Sequence, residues 1–302
     1  MQGETFTIDR PDGHAVFTRV WRPDAAPRAV VQIVHGLAEH SARYARLAET
    51  LTEAGFAAYA HDHRGHGPKC KPTDLGFFAE AGGWRLLLDD VDAVAARIAA
   101  DYPGVPRAFL GHSMGSFLGQ RYIAERGDSL AAAVLSGTAG PPPPILALGK
   151  RIIAFERWRL GPRGKSPLVQ ALLFGEQNKP FRPARTPYDW LSRDPDEVDK
   201  YVADPLCGFP LSNQLAADLV AALADLASPK LAARVPKDLP IYIFSGSRDP
   251  VGAKLDRLID VYRAAGLDVR ATIYPDARHE TLNETNRDEV TRDLISWLAR
   301  VI

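Results

Sequence analysis

A serine held between two glycines, Gly111-His112-Ser113-Met114-Gly115, is the segment of this chain best suited to covalent chemistry. It follows the apolar run Phe109-Leu110 and opens a stretch with helical spacing. That context puts the serine on a sharp strand-to-helix turn with its hydroxyl outermost. The glycines let the backbone turn tightly and let neighbouring segments come close. The plainer reading of the same residues is a Gly-rich turn whose serine caps a helix, and the two readings part over whether a base is in reach. A serine hydroxyl is a weak nucleophile until a positioned base takes its proton. Downstream of Ser113 the chain has a single histidine, His279, in Tyr274-Pro275-Asp276-Ala277-Arg278-His279-Glu280. A carboxylate must then orient the imidazole and stabilise its charged form. Asp249, in Ser245-Gly246-Ser247-Arg248-Asp249-Pro250, directly follows an apolar run and is favoured. Asp276 and Glu280 are the alternatives, both very near His279 in sequence and neither directly after a strand. The oxyanion of acyl transfer needs preset donors. The backbone N–H groups of Met114 and of Leu37, the latter in the turn His35-Gly36-Leu37, are placed to supply them. The chemistry implied is acyl transfer through a serine ester, with no cofactor and no metal.

A second cluster competes. His61-Asp62-His63-Arg64-Gly65-His66 is similar to the H-x-H-x-D-H ligand run of metallo-β-lactamase-type hydrolases. Gly65 stands where the bridging aspartate would be, and one downstream histidine is too few to complete a two-metal site. The favoured reading is that these histidines and Arg64 hold loops beneath the active site by hydrogen bonds.

The elements that must position these residues alternate along the chain. Strands are expected at Ala29–Val34, Phe56–Ala60, Arg107–Leu110, Ala132–Leu135, Ile241–Phe244 and Val269–Tyr274. Helices are expected after Ser41, which reads as a cap for Tyr44, Leu47, Ala48 and Leu51, closed by Gly55. Others run from about Gly83 to Ala100, from Met114, from about Ala253 to Ala265, and through Val290, Leu294, Trp297, Leu298 and Val301. Such alternation predicts an α/β fold, a mostly parallel sheet with helices on both faces. It breaks between Gly137 and Pro236, which opens on Pro141-Pro142-Pro143-Pro144 and shows apolar spacings of helices only. These centre on Ile145, Leu148, Ile152, Ile153 and Phe155, on Leu168 to Phe174, and on Leu215 to Leu226. A helical insertion over residues 138–236, splitting a core of 1–137 and 237–302, is the simplest account.

Composition sets the outer bounds. The chain has 302 residues, 46% hydrophobic and 25% charged, as in a soluble globular protein. Lys plus Arg is 37 and Asp plus Glu is 37, a balance that argues against nucleic acid as a partner. Cys70 and Cys207 cannot form a disulfide framework and read as reduced thiols. The opening residues lack a signal peptide and no apolar run reaches membrane-spanning length, so a cytoplasmic location is expected.

Taken together, His35-Gly36-Leu37-Ala38-Glu39-His40-Ser41-Ala42-Arg43-Tyr44, Asp62-His63-Arg64-Gly65-His66-Gly67, the Ser113 pentapeptide, Gly246-Ser247-Arg248-Asp249 and Ala277-Arg278-His279-Glu280 resemble the α/β-hydrolase superfamily. The resemblance is to its monoglyceride lipase and lysophospholipase-like branch (serine aminopeptidase S33-type), and it covers nearly the whole chain. It implies the α/β-hydrolase fold with an inserted helical cap, and cofactor-free hydrolysis of carboxylic esters, of glycerol or lysophospholipid type. It maps nucleophile, acid and base onto Ser113, Asp249 and His279, and oxyanion donors onto Leu37 and Met114. Pro68-Lys69-Cys70 departs from the family, where a small residue and serine usually follow the glycine. The substrate is expected to be a small lipid ester such as a monoacylglycerol, with Phe155, Trp158, Phe174 and Trp190 of the insertion as candidate walls of an acyl tunnel. Peripheral membrane contact through the cap is a further expectation, and oligomeric state is left open. The same triad also serves an acyltransferase or peptidase, and the fold also serves non-catalytic binding proteins.

Overall fold

A computed structural model of the chain describes residues 3–142, 146–252 and 254–302. Met1, Gln2, Pro143, Pro144, Ile145 and Ala253 lie outside the described residues. Eight strands form one sheet: β1 (Glu4–Asp9), β2 (Ala15–Trp21), β3 (Ala29–Val34), β4 (Phe56–His61), β5 (Arg107–His112), β6 (Ala132–Ser136), β7 (Ile241–Gly246) and β8 (Val269–Tyr274), in the order β1-β2-β4-β3-β5-β6-β7-β8. From β4 to β8 every neighbouring pair is parallel, whereas β2 joins β4 and β1 antiparallel. The antiparallel edge departs from the sequence reading, which placed no strand before residue 29. Its signal is the Pro11-Asp12-Gly13 turn between two alternating runs, with Gly13 at φ +84°.

Central strands β3 to β7 are buried at every position and largely apolar because helices cover both faces. Val31 and Ile33 of β3 and Ala108 and Leu110 of β5 face α1 (Ala45–Glu53) and α10 (Arg287–Val301). Val34 and Phe109 point the other way, with α2 (Gly83–Asp101), α3 (Met114–Arg126) and α9 (Leu255–Ala264). The period of two thus divides one sheet into two cores. Ser41 is not a side-chain cap as expected. It begins a short 3-10 turn, and its N–H donates to Asp62 Oδ1 at 2.7 Å, because Asp62 reaches it from the end of β4.

Between β6 and β7 the described residues form α4 (Leu146–Leu160), α5 (Pro167–Phe174), α6 (Pro195–Ala203), α7 (Asn213–Leu223) and α8 (Pro229–Ala232), and no strand. Serines at 166, 212 and 228 cap α5, α7 and α8 by accepting from the N–H three residues on. Among the described residues no helix is long and apolar enough to cross a membrane.

Candidate active site

Four chain segments leave the carboxyl ends of β3, β5, β7 and β8 and converge, the edge at which open parallel sheets bind ligands. The first is Ser113. It sits between β5 and α3 at φ +50°, a conformation that costs an ordinary residue energy and persists only when its surroundings impose it. The surroundings are backbone. A Cβ on Gly115 would lie 2.0 Å from the Val34 carbonyl oxygen, and one on Gly111 2.3 Å from that of Gly115, so neither position admits a side chain. The Ser113 side chain makes no capping hydrogen bond to α3, which removes the helix-cap reading.

The histidine loop comes second. His279 is buried, and its Nδ1–H donates to Asp249 Oδ1 at 2.9 Å. Asp249 Oδ1 also accepts the Val251 N–H at 2.8 Å, and its Oδ2 accepts the Ser245 hydroxyl at 2.7 Å. Burial opposes the charged form of His279, yet the Asp249 charge and hydrogen bond, with Glu280 and Glu39 behind them, raise its pKa above the ordinary 6.5. Burial likewise pushes Asp249 up, and contact with His279 outweighs it, keeping the carboxyl below its usual range. The alternatives go elsewhere: Asp276 is exposed, and Glu280 faces Arg43. Nε2 of His279 has no hydrogen-bond partner. Ser113 and His279 line one cavity, but the serine–histidine hydrogen bond is not closed.

The turn after β3 is the third segment. Gly36 N–H donates to Glu39 Oε1 at 2.6 Å and Ala38 N–H to His66 Nε2 at 3.1 Å, whereas the Leu37 N–H between them has no acceptor among the described residues. Gly36 is so close to Ser113 that a Cβ there would lie 3.1 Å from the serine Cβ. Met114 begins α3, and its N–H therefore has no acceptor within the helix. The sequence-predicted donors Leu37 and Met114 thus stand on the same cavity as Ser113.

The histidine cluster supports this turn. His66 Nδ1–H donates to the Arg64 carbonyl at 2.9 Å while its Nε2 accepts from Ala38. His35 Nε2 accepts the His63 N–H at 3.0 Å, and His35 Nδ1–H donates to Gly36 O at 2.7 Å. These rings are neutral, because burial pushes His66 down to about 4 and His35 well below its ordinary value. Arg64 bonds Asp90 at 2.7 and 3.0 Å and Asp12 as well. Among the described residues the metal-ligand-like group is a different one, His40, Asp204 and Cys207, and a His40 Nε2–Asp204 Oδ2 hydrogen bond of 2.8 Å accounts for its closeness. Both cysteines are unpaired. The departing segment Pro68-Lys69-Cys70 does not touch the cavity; Lys69 lies 5.9 Å over the Phe17 ring of β2.

The cavity measures about 820 Å³ and is walled mainly by apolar side chains of the insertion, including Leu173, Phe174, Trp190 and Val220. Trp190 lies 5.0 Å from the His279 ring, and its carbonyl accepts the His279 N–H at 3.3 Å. Phe174 and Trp190 therefore stand where the tunnel reading wants them. Phe155 and Trp158 do not: they are 54% and 80% exposed on the outer side of α4, packed 5.8 Å from each other. Helical spacing marks an apolar face without saying which side of the helix meets the cavity. Two residues with no assigned role in the sequence reading, Glu39 and Arg43, prove central here. Their signal was present in the His35–Tyr44 segment, which carried the family resemblance.

A parallel sheet with a strained serine elbow after β5, an aspartate after β7 and a histidine after β8 defines the chain as an α/β-hydrolase. Within that superfamily it matches the family described as Serine aminopeptidase, S33, over residues 25–286, and it belongs to that family. It is 32% identical to the monoacylglycerol lipase of Mycolicibacterium smegmatis, over 92% of this chain and 91% of the relative. It is 30% identical to the monoglyceride lipase of Homo sapiens, over 96% and 88% of the two chains. Among solved structures, a thermostable carboxyl esterase from Bacillus coagulans in complex with glycerol superimposes with a TM-score of 0.91 at 29% identity, covering 100% of this chain and 99% of that one.

Proposed function

We propose that this chain is a serine esterase that hydrolyses monoacylglycerols and similarly small lipid esters through an acyl-enzyme on Ser113. The observation that carries the reading is Ser113 on its strained elbow, at the base of a mainly apolar cavity within the size range of ligand sites. His279 Nε2 takes the Ser113 proton as the hydroxyl attacks the ester carbonyl, and Asp249 steadies the imidazolium. The Leu37 and Met114 N–H groups receive the oxyanion. His279 then protonates the departing alcohol, and water releases the acid by the same steps. The two similar lipases and the glycerol-bound esterase structure support this substrate class. Peptidase chemistry on a free amino terminus would need a carboxylate available to an ammonium group. The two acids that line the cavity, Glu39 and Glu280, are both engaged by Arg43, which favours the ester reading.

We read residues 138–236 as a cap over the core formed by 1–137 and 237–302. Its outer face exposes Leu148, Phe155, Trp158 and Leu168 beside Lys150 and Arg151, a combination suited to peripheral contact with a lipid surface. The unpaired cysteines suit a reducing compartment, and we place the protein in the cytoplasm.

A fluorophosphonate probe tests the nucleophile: wild type is labelled and Ser113→Ala is not. Monoacylglycerols and a chain-length series of 4-nitrophenyl esters test the substrate. Activity confined to acetate-sized acyl groups rejects the lipid-ester reading, and dominant ester products in added glycerol or methanol would reassign the chemistry to acyl transfer.

A further inference from the structure

Arg43 lies 12% exposed between two carboxylates that are buried more deeply still. Its guanidinium grips Glu280 with two bonds of 2.7 Å and reaches Glu39 Oε2 at 2.8 Å. Each acid then reaches a different part of the site. Glu39 Oε1 accepts the Gly36 N–H at 2.6 Å and the Tyr44 hydroxyl at 2.9 Å, which fixes the turn whose next amide is Leu37. Glu280 follows His279 directly, and its N–H donates to the Leu191 carbonyl at 2.7 Å. On its other side Arg43 stacks 4.9 Å over the Tyr201 ring, and the Tyr201 hydroxyl donates to Ala38 O of the same turn at 2.9 Å.

We propose that Arg43 is a positioning residue that holds the oxyanion turn and the histidine loop in mutual register, using Glu39 and Glu280 as its two arms. The proposal rests on the reading of Ser113, His279 and Leu37 given above. A buried arginine between two acids is weak evidence for stability, since desolvation consumes most of the attraction. What such a group supplies well is geometry, because the planar fork meets carboxylates in a fixed orientation. Arg43 touches none of the reacting atoms. Its two arms set where the base and the Leu37 donor sit relative to Ser113, and displacements on the scale of 1 Å cost about 10²-fold in rate. The titratable groups facing His279 are Asp249, Glu280, Glu39 and His112, the last with its ring 4.9 Å away. Arg43 offsets the two glutamates among them.

Arg43→Lys and Glu280→Gln test the proposal. Lysine keeps the charge and loses the fork, and the expected result is a fall of about 10²-fold in kcat with KM changed only a few-fold. Fluorophosphonate labelling of Ser113 slows in parallel. Glu280→Gln removes one arm and one negative charge near His279, so kcat falls and the acid limb of kcat/KM moves to lower pH. A folded Arg43→Lys enzyme with wild-type kcat and labelling rate overturns the proposal. Should that variant not fold, a Glu280→Gln enzyme with unchanged kcat and an unmoved acid limb overturns it equally. Failure of the underlying triad reading looks different, because wild type itself would then not be labelled at Ser113.

Discussion

At the scale of single residues the site is an exercise in holding two ionisation states. Asp249 satisfies its lone pairs with His279, Ser245 and Val251, so it stays ionised while fully buried. Asp249→Asn keeps the shape and reverses the hydrogen-bond logic, favouring the wrong tautomer of His279. Turnover is expected to fall by about four orders of magnitude, measured as kcat on a 4-nitrophenyl ester. Near-full activity would transfer the acid role to Asp276 or Glu280. The pH profile carries a sign as well. His279 accepts a proton only when neutral, so kcat/KM declines as pH drops through its pKa, and that pKa is raised by Asp249, Glu280 and Glu39 against the effect of burial. The acid limb is therefore expected above the ordinary histidine value of 6.5, and a limb centred clearly below 6.5 contradicts it. Ser113, Asp249 and His279 were legible in sequence because Ser113 stands between two glycines after a strand, Asp249 closely follows another strand, and His279 is the one histidine downstream of Ser113. The link between Arg43, Glu39 and Glu280 was not, although Glu280 was weighed as an acid and Glu39 and Arg43 lay in the family-like segment, since charged residues read as surface by default and Glu280 lies 237 positions from Arg43.

Elements act by bringing backbones closer than side chains allow. The elbow between β5 and α3 exists because Gly115 lets it nest against the end of β3 and Gly111 lets the start of α3 close over β5. In Gly115→Ala the new methyl meets the Val34 and His35 carbonyls, and either α3 or β3 must move. Destabilisation of about 3 kcal/mol is expected, the upper range for overpacking, as a lowered urea midpoint. Fluorophosphonate labelling should nearly vanish in the protein that remains folded, because Ser113 and the Met114 amide shift with α3. Wild-type labelling in that variant would mean the elbow tolerates a side chain and is not set by backbone contact. The glycines and the strand-then-helix pattern were readable in advance. The β1–β2 edge was not picked out, because β1 exposes alternate residues and has little apolar content to announce it. Nor was the side of α4 that meets solvent, since periodicity reports a face and tertiary packing alone assigns it.

Across the whole molecule, buried imidazoles set the response to acid. His35, His61, His63, His66 and His112 lie in the interior, and burial depresses all five, His61, His66 and His112 to about 4. Each would take a proton near 6.5 in the unfolded chain and refuses it in the folded one. Between about pH 6.5 and 4 the unfolded state therefore binds more protons, and stability falls as pH falls. His279 works in the opposite sense: its raised pKa adds stability that is full below 6.5 and lost as pH rises through the folded-state value. Its window lies above 6.5, so it does not offset the five below that value. Each of the five removes up to about 1.4 kcal/mol per pH unit across its window, a steep loss against the roughly 5–15 kcal/mol that typically separates folded from unfolded. Urea midpoints at pH 7, 6 and 5 are expected to drop progressively, with the steepest fall below 6.5. Replacing His61, whose ring nitrogens have no hydrogen-bond partners, by Phe should flatten the slope by about one histidine's share. Midpoints that stay level from pH 7 to 5 would show that these rings take up protons in the folded state, and the turn that His35 and His66 hold as neutral acceptors would then need another support.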